Sequence, residues 1–280
     1  MNKFPLAYLV DQAVKWLQIN FGDNLDSFSD AFNDFIKAIG YFLTIIPWWV
    51  IVLVFAALAW KAKGWKLAFG TVLGLFFIYN LNLWASFLDT LVLVIISAIV
   101  SIIIGLPLGI LAGRNNRFFK VLSPILDFMQ TMPSFVYLIP ALLFFGIGKV
   151  PAVFATVIFA MPPAIRFTAL GIRQVPHDLV EVGEAFGSTP WQLLWKIQMP
   201  LALPTIMAGI NQTMMLSLSM VVIAAMIGAG GLGGGVLEAI SQLKIGMGFE
   251  YGVAVVIMAI ILDRLFQALG GSLRSNENNK

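Results

Sequence analysis

Long apolar segments separated by short polar stretches leave this chain few ways to fold. A helix that crosses a lipid bilayer needs about 20 predominantly apolar residues, and the 280-residue sequence contains seven segments of this kind. They are residues 44–60, 66–84, 87–113, 128–148, 151–172, 204–229 and 250–270. Because 60% of the residues are hydrophobic and only 11% are charged, little of the chain is left for a soluble domain. We predict an all-α, polytopic membrane protein with about seven transmembrane helices.

The positions of lysine and arginine predict how these helices are oriented, because cytoplasmic loops collect basic residues. Twelve of the 17 basic residues fall on one side of the predicted membrane, namely Lys61, Lys63, Lys66, Arg114, Arg117, Lys120, Arg166, Arg173, Lys196, Arg264, Arg274 and Lys280. The other five fall on the opposite side, namely Lys3, Lys15, Lys37, Lys149 and Lys244. We therefore expect the N-terminus outside the cell and the C-terminus in the cytoplasm, which an odd number of crossings satisfies.

The net charge of +3 and the pI near 9.2 raise the question of a nucleic-acid partner. Cytoplasmic loops that face anionic membrane lipid account for the basic excess, so we expect no nucleic-acid partner. The sequence contains no cysteine, which excludes disulfides and thiolate chemistry. Charges are scattered through the apolar pattern of residues 1–20, so a cleavable signal peptide is not expected.

Residues 1–43 are amphipathic, and we expect them to form helices on the extracytoplasmic membrane surface. Opposite Asp26, Asp30 and Asp34, apolar residues recur at helical spacing, namely Leu25, Phe28, Phe32, Phe35, Ile36, Ile39, Phe42 and Leu43. A separate, shorter helix is predicted from the earlier apolar positions Leu6, Val10, Ala13 and Leu17. This region either braces two accessory transmembrane helices in residues 44–84 or has a partner-binding or regulatory role.

Prolines and glycines are frequent in the apolar segments from residue 87 onward. Prolines inside a helix free backbone carbonyls and can kink it, and they occur here as Pro107, Pro140, Pro162 and Pro163. Gly105, Gly109 and Gly113 are spaced four apart, which predicts a face for close helix approach. These features suit both a moving transport pathway and an ordinary membrane bundle.

The polar stretch of residues 175–203 interrupts the apolar pattern, and topology assigns it to the cytoplasm. Asp178 and Glu181 have the spacing of a capping box that starts a helix, and Gly187 is suited to end it. Thr189, Pro190 and Gln192 have the pattern of a second helix start. We predict a helix, a glycine turn and another helix.

Both predicted helices carry apolar side chains that a loop crossing water does not need. Leu179, Val182 and Phe186 form a stripe on the first helix, and the second helix carries a patch of Trp191, Leu194 and Trp195. Helices with bulky anchors of this kind fit a groove in a partner protein. Packing against the chain's own helices is the alternative.

The stretch from Glu181 to Pro200 resembles the EAA signature of permease subunits of ATP-binding-cassette (ABC) importers. Residues 85–270 as a whole resemble the permeases of glycine betaine and proline betaine importers, in the osmoprotectant branch of the type I importers. The residues that carry this closer resemblance lie in stretches 127–140, 158–166, 171–176 and 184–189. Two departures are Val182-Gly183, in place of the usual alanines, and Met199, in place of leucine.

The resemblance implies a function and a set of partners. The ATPase-coupling helix would comprise Glu181, Val182, Gly183, Glu184, Ala185, Phe186 and Gly187, with Pro200 closing the signature. The chain would act as a homodimer in a bacterial cell membrane, with two ATPase subunits that carry ATP and magnesium and an external substrate-binding protein. Residues 85–270 would be the permease core, and residues 271–280 a cytoplasmic tail. No catalytic residue, metal site or cofactor is expected in this chain.

Several other patterns are weak indications of function. The G-x-G-x-x-G of Gly228 to Gly233 follows a membrane segment rather than a strand, so a dinucleotide site is not expected. No phosphate-binding loop sequence occurs. His177, the only histidine, is interpreted as a loop residue, and Asp89 and Asp263 as interfacial charges.

A substrate pathway would use polar positions within the central segments. The candidates are Gln130, Thr131, Ser134, Tyr137, Asn211, Gln212, Ser217 and Ser219. Hydrogen bonding between helices is the alternative role for each. Choline, carnitine or an amino acid are alternative substrates, and an intramembrane enzyme or an ion-coupled secondary transporter are alternatives of another class.

Overall fold

The computed structural model describes residues 6–275, with side chains described at Gln12 and from Val14 to Ala268. Within this range the chain is helical and contains no strand, which confirms the all-α prediction. The α-helices are α1 Leu6–Ile45, α2 Trp48–Lys63, α3 Trp65–Asn80, α4 Trp84–Arg114, α5 Asn116–Thr131, α6 Leu138–Phe145, α7 Lys149–Arg173, α8 His177–Ala185, α9 Pro190–Leu193, α10 Met199–Ile223, α11 Gly231–Ser241 and α12 Ile245–Ser275. Short 3₁₀ turns cover Ser134–Tyr137 and Ala224–Ile227, and a π-helical turn covers Leu194–Gln198.

Four continuous helical stretches among the described residues are long and apolar enough to cross a membrane. They are Trp84–Arg114, Lys149–Arg173, Pro190–Ile227 and Ile245–Ala268. Two bent helix pairs raise the count of candidate spans to as many as six. The remaining apolar helix, α3, has 16 residues and is shorter than about 20 residues, the usual length of a crossing.

The segment at residues 128–148, predicted as one crossing, is broken in the structure. Helix α5 and the helical segment Ser134–Phe145 meet at an angle of 108°. Met132 has an extended backbone at the break, with φ −68° and ψ 136°, and Pro133 follows it. The ring of a proline disfavours a helical conformation in the preceding residue, so the chain turns there.

A single 40-residue helix, α1, replaces the two N-terminal helices that the sequence predicted. It meets α2 at an angle of 96° next to Pro47. The predicted amphipathic character is present, because Ile36 is buried against the core while Asp26, Asp30 and Asp34 are exposed. Residues 1–5 lie outside the described part of the chain.

Helices α4 and α7 pack together closely along the predicted glycine face. A Cβ atom added at Gly105 would lie 2.8 Å from Ala164 Cβ, and one at Gly113 would lie 2.9 Å from Ile172 Cβ. At Gly109 the added atom would be 2.5 Å from Thr168 Cβ and 2.8 Å from the Ile165 carbonyl oxygen. Only glycine permits this approach, and the matching order of contacts shows that the two helices run parallel.

Helix α10 packs against a neighbouring face of α7 through two further glycines. A Cβ atom at Gly209 would lie 2.6 Å from Phe167 Cβ, and one at Gly171 would lie 3.1 Å from Ala202 Cβ. A cluster of buried residues joins the C-terminal end of α7, the N-terminal end of α10 and the π-helical turn before it. Its members are Ile172, Leu194, Ala202 and Ile206. This cluster attaches the polar stretch to the helical core.

Candidate functional site

The first helix of the polar stretch, α8, ends where the sequence predicted. Gly187 has φ +76°, a left-handed conformation that glycine adopts without a steric penalty. The Ser188 N–H donates to the Gly183 carbonyl at 3.0 Å, and the Gly187 N–H donates to the Glu184 carbonyl at 2.8 Å. These two bonds form a Schellman motif, which reverses the chain toward α9.

The start of α8 differs from the prediction. The helix follows Pro176 with no side-chain cap, so the predicted capping by Asp178 and Glu181 is wrong. His177 is the first helical residue rather than a loop residue, and its Nδ1 lies 3.0 Å from Glu181 Oε1 one turn later. Asp178 falls inside the first turn, where a carboxylate interacts favourably with the helix dipole.

The second helix starts as predicted. The Gln192 N–H donates to Thr189 Oγ1 at 3.3 Å, and the Thr189 N–H donates to Gln192 Oε1 at 2.8 Å. This reciprocal pair is a capping box with Pro190 at the first helical position. The helix then widens into the π-helical turn Leu194–Gln198 and continues into α10, where Pro200 is half-buried.

Gly183 allows α8 and the second helix to pack against each other. It is buried, and an added Cβ atom would lie 2.5 Å from Leu193 Cδ2 and 2.7 Å from Ile197 Cδ1. Glycine in a helix is about 1 kcal/mol less favourable than alanine. The departure from alanine at this position therefore has a packing reason, which is the close approach of these two helices.

The outer surface of this hairpin, residues 177–198, is rich in exposed apolar side chains. On α8, Phe186 is 86% exposed and Val182 is 52% exposed, and Leu179 lies beside them. Trp191 and Trp195 are exposed on the second helix, with ring centroids 5.6 Å apart. Leu194, predicted to join this patch, is instead buried in the cluster that attaches the hairpin. The exposed carboxylates of Glu181 and Glu184 flank the apolar surface.

Two of the predicted pathway residues, Gln130 and Gln212, line one cavity of about 400 Å³. The other lining residues are Phe159, Pro163, Phe167 and Leu216. The two phenylalanines were not predicted, because only polar positions were candidates for the pathway. A usable signal was present, because Phe159, Pro163 and Phe167 are spaced four apart and share one face of α7.

The other pathway candidates do not line this cavity. Ser134 borders an apolar groove beside Ile223 and Met226, and Ser219 is exposed. The Thr131 hydroxyl donates to the Phe128 carbonyl at 3.0 Å, the Ser217 hydroxyl to the Thr213 carbonyl at 2.9 Å, and the Tyr137 hydroxyl to the Met129 carbonyl. Among these candidates Asn211 makes the expected bond between transmembrane helices, with Nδ2 donating to Asp263 Oδ1 at 3.3 Å.

The glycine-rich stretch that matched a dinucleotide motif is a packed turn. Gly228, Gly230 and Gly231 all have positive φ, and a Cβ atom at Gly231 would lie 2.4 Å from Thr90 Oγ1. The Leu232 N–H donates to the same Thr90 oxygen at 2.8 Å. The turn thus holds α11 against α4.

Charged groups in the helical bundle are paired rather than gathered around a site. Asp89 Oδ1 lies 2.7 Å from Lys149 Nζ, and Arg166 pairs with Asp127. Asp263 accepts from Gln267 at 2.7 Å as well as from Asn211. Among the described residues, no three His, Asp or Glu side chains cluster as metal ligands would.

Residues 105–275 match the family described as binding-protein-dependent transport system inner membrane component. This chain belongs to that family. The chain is similar to several permeases. The glycine betaine transport system permease protein OpuAB of Bacillus subtilis (strain 168) is 50% identical to it over 278 residues, covering 99% of each chain. The glycine betaine/carnitine transport permease protein GbuB of Listeria monocytogenes serotype 1/2a (strain 10403S) is 49% identical over 282 residues, covering 97% of each chain.

A solved structure shows that the fold is also that of an ABC importer permease. A chain of the MetNI methionine ABC transporter, in an inward-facing conformation, matches with a TM-score of 0.60 at 24% identity, over 69% of this chain and 95% of that chain. As a binding-protein-dependent inner membrane component, the chain is an integral membrane transport subunit and not an enzyme. Permeases of this family work with an ATPase and a substrate-binding protein.

Proposed function

We propose that this chain is the permease subunit of an ATP-driven importer of glycine betaine or a related compatible solute. The observation that carries the proposal is the similarity to two glycine betaine permeases over nearly the whole chain, at 50% and 49% identity. The second of these relatives also carries carnitine in its name. Carnitine is therefore the alternative substrate that the similarity supports.

The hairpin of residues 177–198 is proposed to dock on the ATPase. Its coupling helix comprises residues 181–187, from Glu181 to Gly187, and Pro200 follows the second helix. Exposed Phe186, Trp191 and Trp195 supply the kind of bulky anchors that insert into a groove of a partner. ATP and magnesium bind to that partner, and the hairpin transmits its movement to α10 through the buried cluster around Leu194.

Two copies of the chain are proposed to form the permease. Each chain contributes one docking hairpin, whereas an importer with two ATPase subunits needs two. A two-fold symmetric homodimer meets this requirement with one kind of interface. Reciprocal linkage then applies, so that ATP binding and the outward-open state stabilise each other.

The N-terminus is proposed to lie outside and the C-terminus in the cytoplasm. Contacts between helix ends support this orientation. The Arg173 guanidinium donates to the Ala112 carbonyl at 2.9 Å, which brings the basic ends of α7 and α4 together. Lys63 Nζ lies 3.3 Å from Gln267 Oε1, which does the same for α2 and α12. Helix ends rich in Lys and Arg therefore share one side, as the positive-inside rule requires.

Reconstituted transport tests the proposal. The chain, its ATPase and its binding protein are placed in proteoliposomes, and uptake of radiolabelled glycine betaine is measured with and without ATP. We expect uptake that requires ATP and is competed by unlabelled glycine betaine more strongly than by carnitine, choline or amino acids. Uptake driven by an ion gradient without ATP would refute the importer assignment, and preferred competition by carnitine would reassign the substrate.

A further inference from the structure

The cavity that joins α5, α7 and α10 has a composition that the docking function does not explain. We propose that this cavity, lined by Gln130, Phe159, Pro163, Phe167, Gln212 and Leu216, binds the transported zwitterion during its passage. The proposal rests on the betaine-import function and adds the residues that contact the substrate. We call this cavity the glutamine–phenylalanine chamber.

The chamber lies at the depth of the membrane interior. Phe159 and Pro163 are close to the middle of α7, which covers Lys149–Arg173. Gln212 lies well inside the continuous helical stretch Pro190–Ile227. A site at this depth can be reached from either side of the membrane as the helices move, which is the requirement for alternating access.

The side-chain amides of Gln130 and Gln212 have no hydrogen-bond partner among the described side chains. Both side chains are exposed. A polar group that faces lipid without a partner costs several kcal/mol, on the order of the penalty for an unpaired backbone group. Gln130 and Gln212 therefore face an aqueous cavity, a polar ligand or the second copy of the chain rather than lipid.

The chemistry of the lining matches a zwitterion with a quaternary ammonium group. Phenylalanine rings attract such cations through their faces, and Phe159 and Phe167 supply two rings. Glutamine amides supply N–H donors for a carboxylate. The Phe159 carbonyl also lacks the usual helical donor, because Pro163 has no N–H.

Net charge gives a second reason for a zwitterion. None of the six lining residues is ionisable. A substrate with a net charge at mid-membrane depth would need a counter-charge, whereas a betaine carries one positive and one negative group. The volume of about 400 Å³ lies within the range usual for small-molecule sites.

Phe167 packs closely against α10 and borders two cavities. An added Cβ atom at Gly209 would lie 2.6 Å from Phe167 Cβ, so α10 approaches this residue as closely as a glycine allows. Phe167 also lines a second cavity of about 320 Å³, together with Arg166 and Arg173. Its ring thus lies between the neutral chamber and an arginine-lined cavity toward the end of α7.

Single cysteines test the chamber cleanly, because the chain has no native cysteine. The variants Gln130→Cys and Gln212→Cys are prepared in the complete complex and treated with a trimethylammonium methanethiosulfonate reagent. Mass spectrometry of this chain then measures the labelling rate with and without glycine betaine during ATP turnover. Lys120→Cys is the control, since it is exposed on α5 but lies outside the chamber.

We expect glycine betaine to slow labelling at positions 130 and 212 at least about fivefold and to leave position 120 unchanged. Choline should protect these positions less, because it has no carboxylate.

In parallel, Phe159→Leu and Phe167→Leu should lower betaine uptake per ATP hydrolysed by about threefold to tenfold. Phe167→Tyr, which retains an aromatic face, should restore uptake. Phe128→Leu, at an exposed phenylalanine outside the chamber, should behave like the wild type.

The outcomes separate this proposal from the proposed function. If the wild-type complex imports betaine but positions 130 and 212 are not protected, the chamber assignment is overturned and the import function stands. Uptake that is unchanged in both leucine variants would overturn it equally. If the wild-type complex imports no betaine, the import function fails and the betaine assignment of the chamber fails with it.

Discussion

Gly183 in α8 and Leu193 in α9 lie so close together that a Cβ atom at position 183 would be 2.5 Å from Leu193 Cδ2. The same atom would be 2.7 Å from Ile197 Cδ1. Both contacts are to the ends of flexible side chains, so an alanine needs only new rotamers there, whereas a larger side chain needs the two helices to separate. The distance between the two helices of the docking hairpin is therefore set by the small residue at position 183.

This relationship predicts a steep dependence on side-chain size at position 183. Gly183→Ala should stay within about 1 kcal/mol of the wild type, because gained helix propensity offsets a rotamer shift in Leu193. Gly183→Leu should separate the helices and reduce the amount of ATPase that co-purifies. Gly70→Leu is the control, since a side chain at that exposed helical glycine meets no atom within 4 Å. Retained ATPase binding in Gly183→Leu would contradict the packing argument.

Removal of the exposed anchors should weaken ATPase docking. Phe186→Ala and Trp191→Ala remove large side chains that are 86% and 65% exposed in the free chain. If they fill pockets in the ATPase, each should lower its affinity by about 10-fold to 100-fold, the range for interface anchors. Binding is measured by titrating the ATPase onto the purified permease. Trp60→Ala, at a tryptophan that is 66% exposed on α2, should leave this affinity unchanged.

The turn at Gly187 should tolerate few substitutions, because its φ of +76° is left-handed. Gly187→Ala should destabilise the turn by about 1–2 kcal/mol, and Gly187→Asn should cost less because asparagine adopts this conformation more readily. Hydrogen exchange at the Ser188 amide, which donates to the Gly183 carbonyl, reports the change locally. Equal protection in the alanine variant and the wild type would show that the Schellman motif is not required.

The contact between α4 and α7 should be intolerant of added volume. In Gly109→Ala the new Cβ atom would meet the Ile165 carbonyl oxygen at 2.8 Å, and this backbone group cannot rotate away. We expect a loss of about 1–3 kcal/mol, which is typical of overpacking. Thermal unfolding in detergent measures it. Gly70→Ala on α3 should not lower the melting temperature, because its surroundings are open.

Features that depend on neighbouring residues could be predicted from the sequence. Helical class follows from apolar segments long enough to cross a bilayer, since backbone groups in lipid must bond within the segment. The Thr189–Gln192 capping box and the stop at Gly187 involve residues within one turn of each other, and both predictions are confirmed. The close-approach face of Gly105, Gly109 and Gly113 follows from helical spacing alone.

Features that depend on distant segments required the tertiary structure. Local spacing favoured a cap at Asp178, yet the helix begins two residues earlier than that cap would allow, directly after Pro176. Helical periodicity placed Leu194 with Trp191 and Trp195, but packing against Ile172 and Ile206 buries it. The chamber brings together Gln130, Phe159 and Gln212 from three separate helices, and no periodicity in one helix specifies that meeting. Sequence patterns thus identified the helices and their turns, because those interactions are local. Only three-dimensional packing decided which faces are buried and which meet around a cavity.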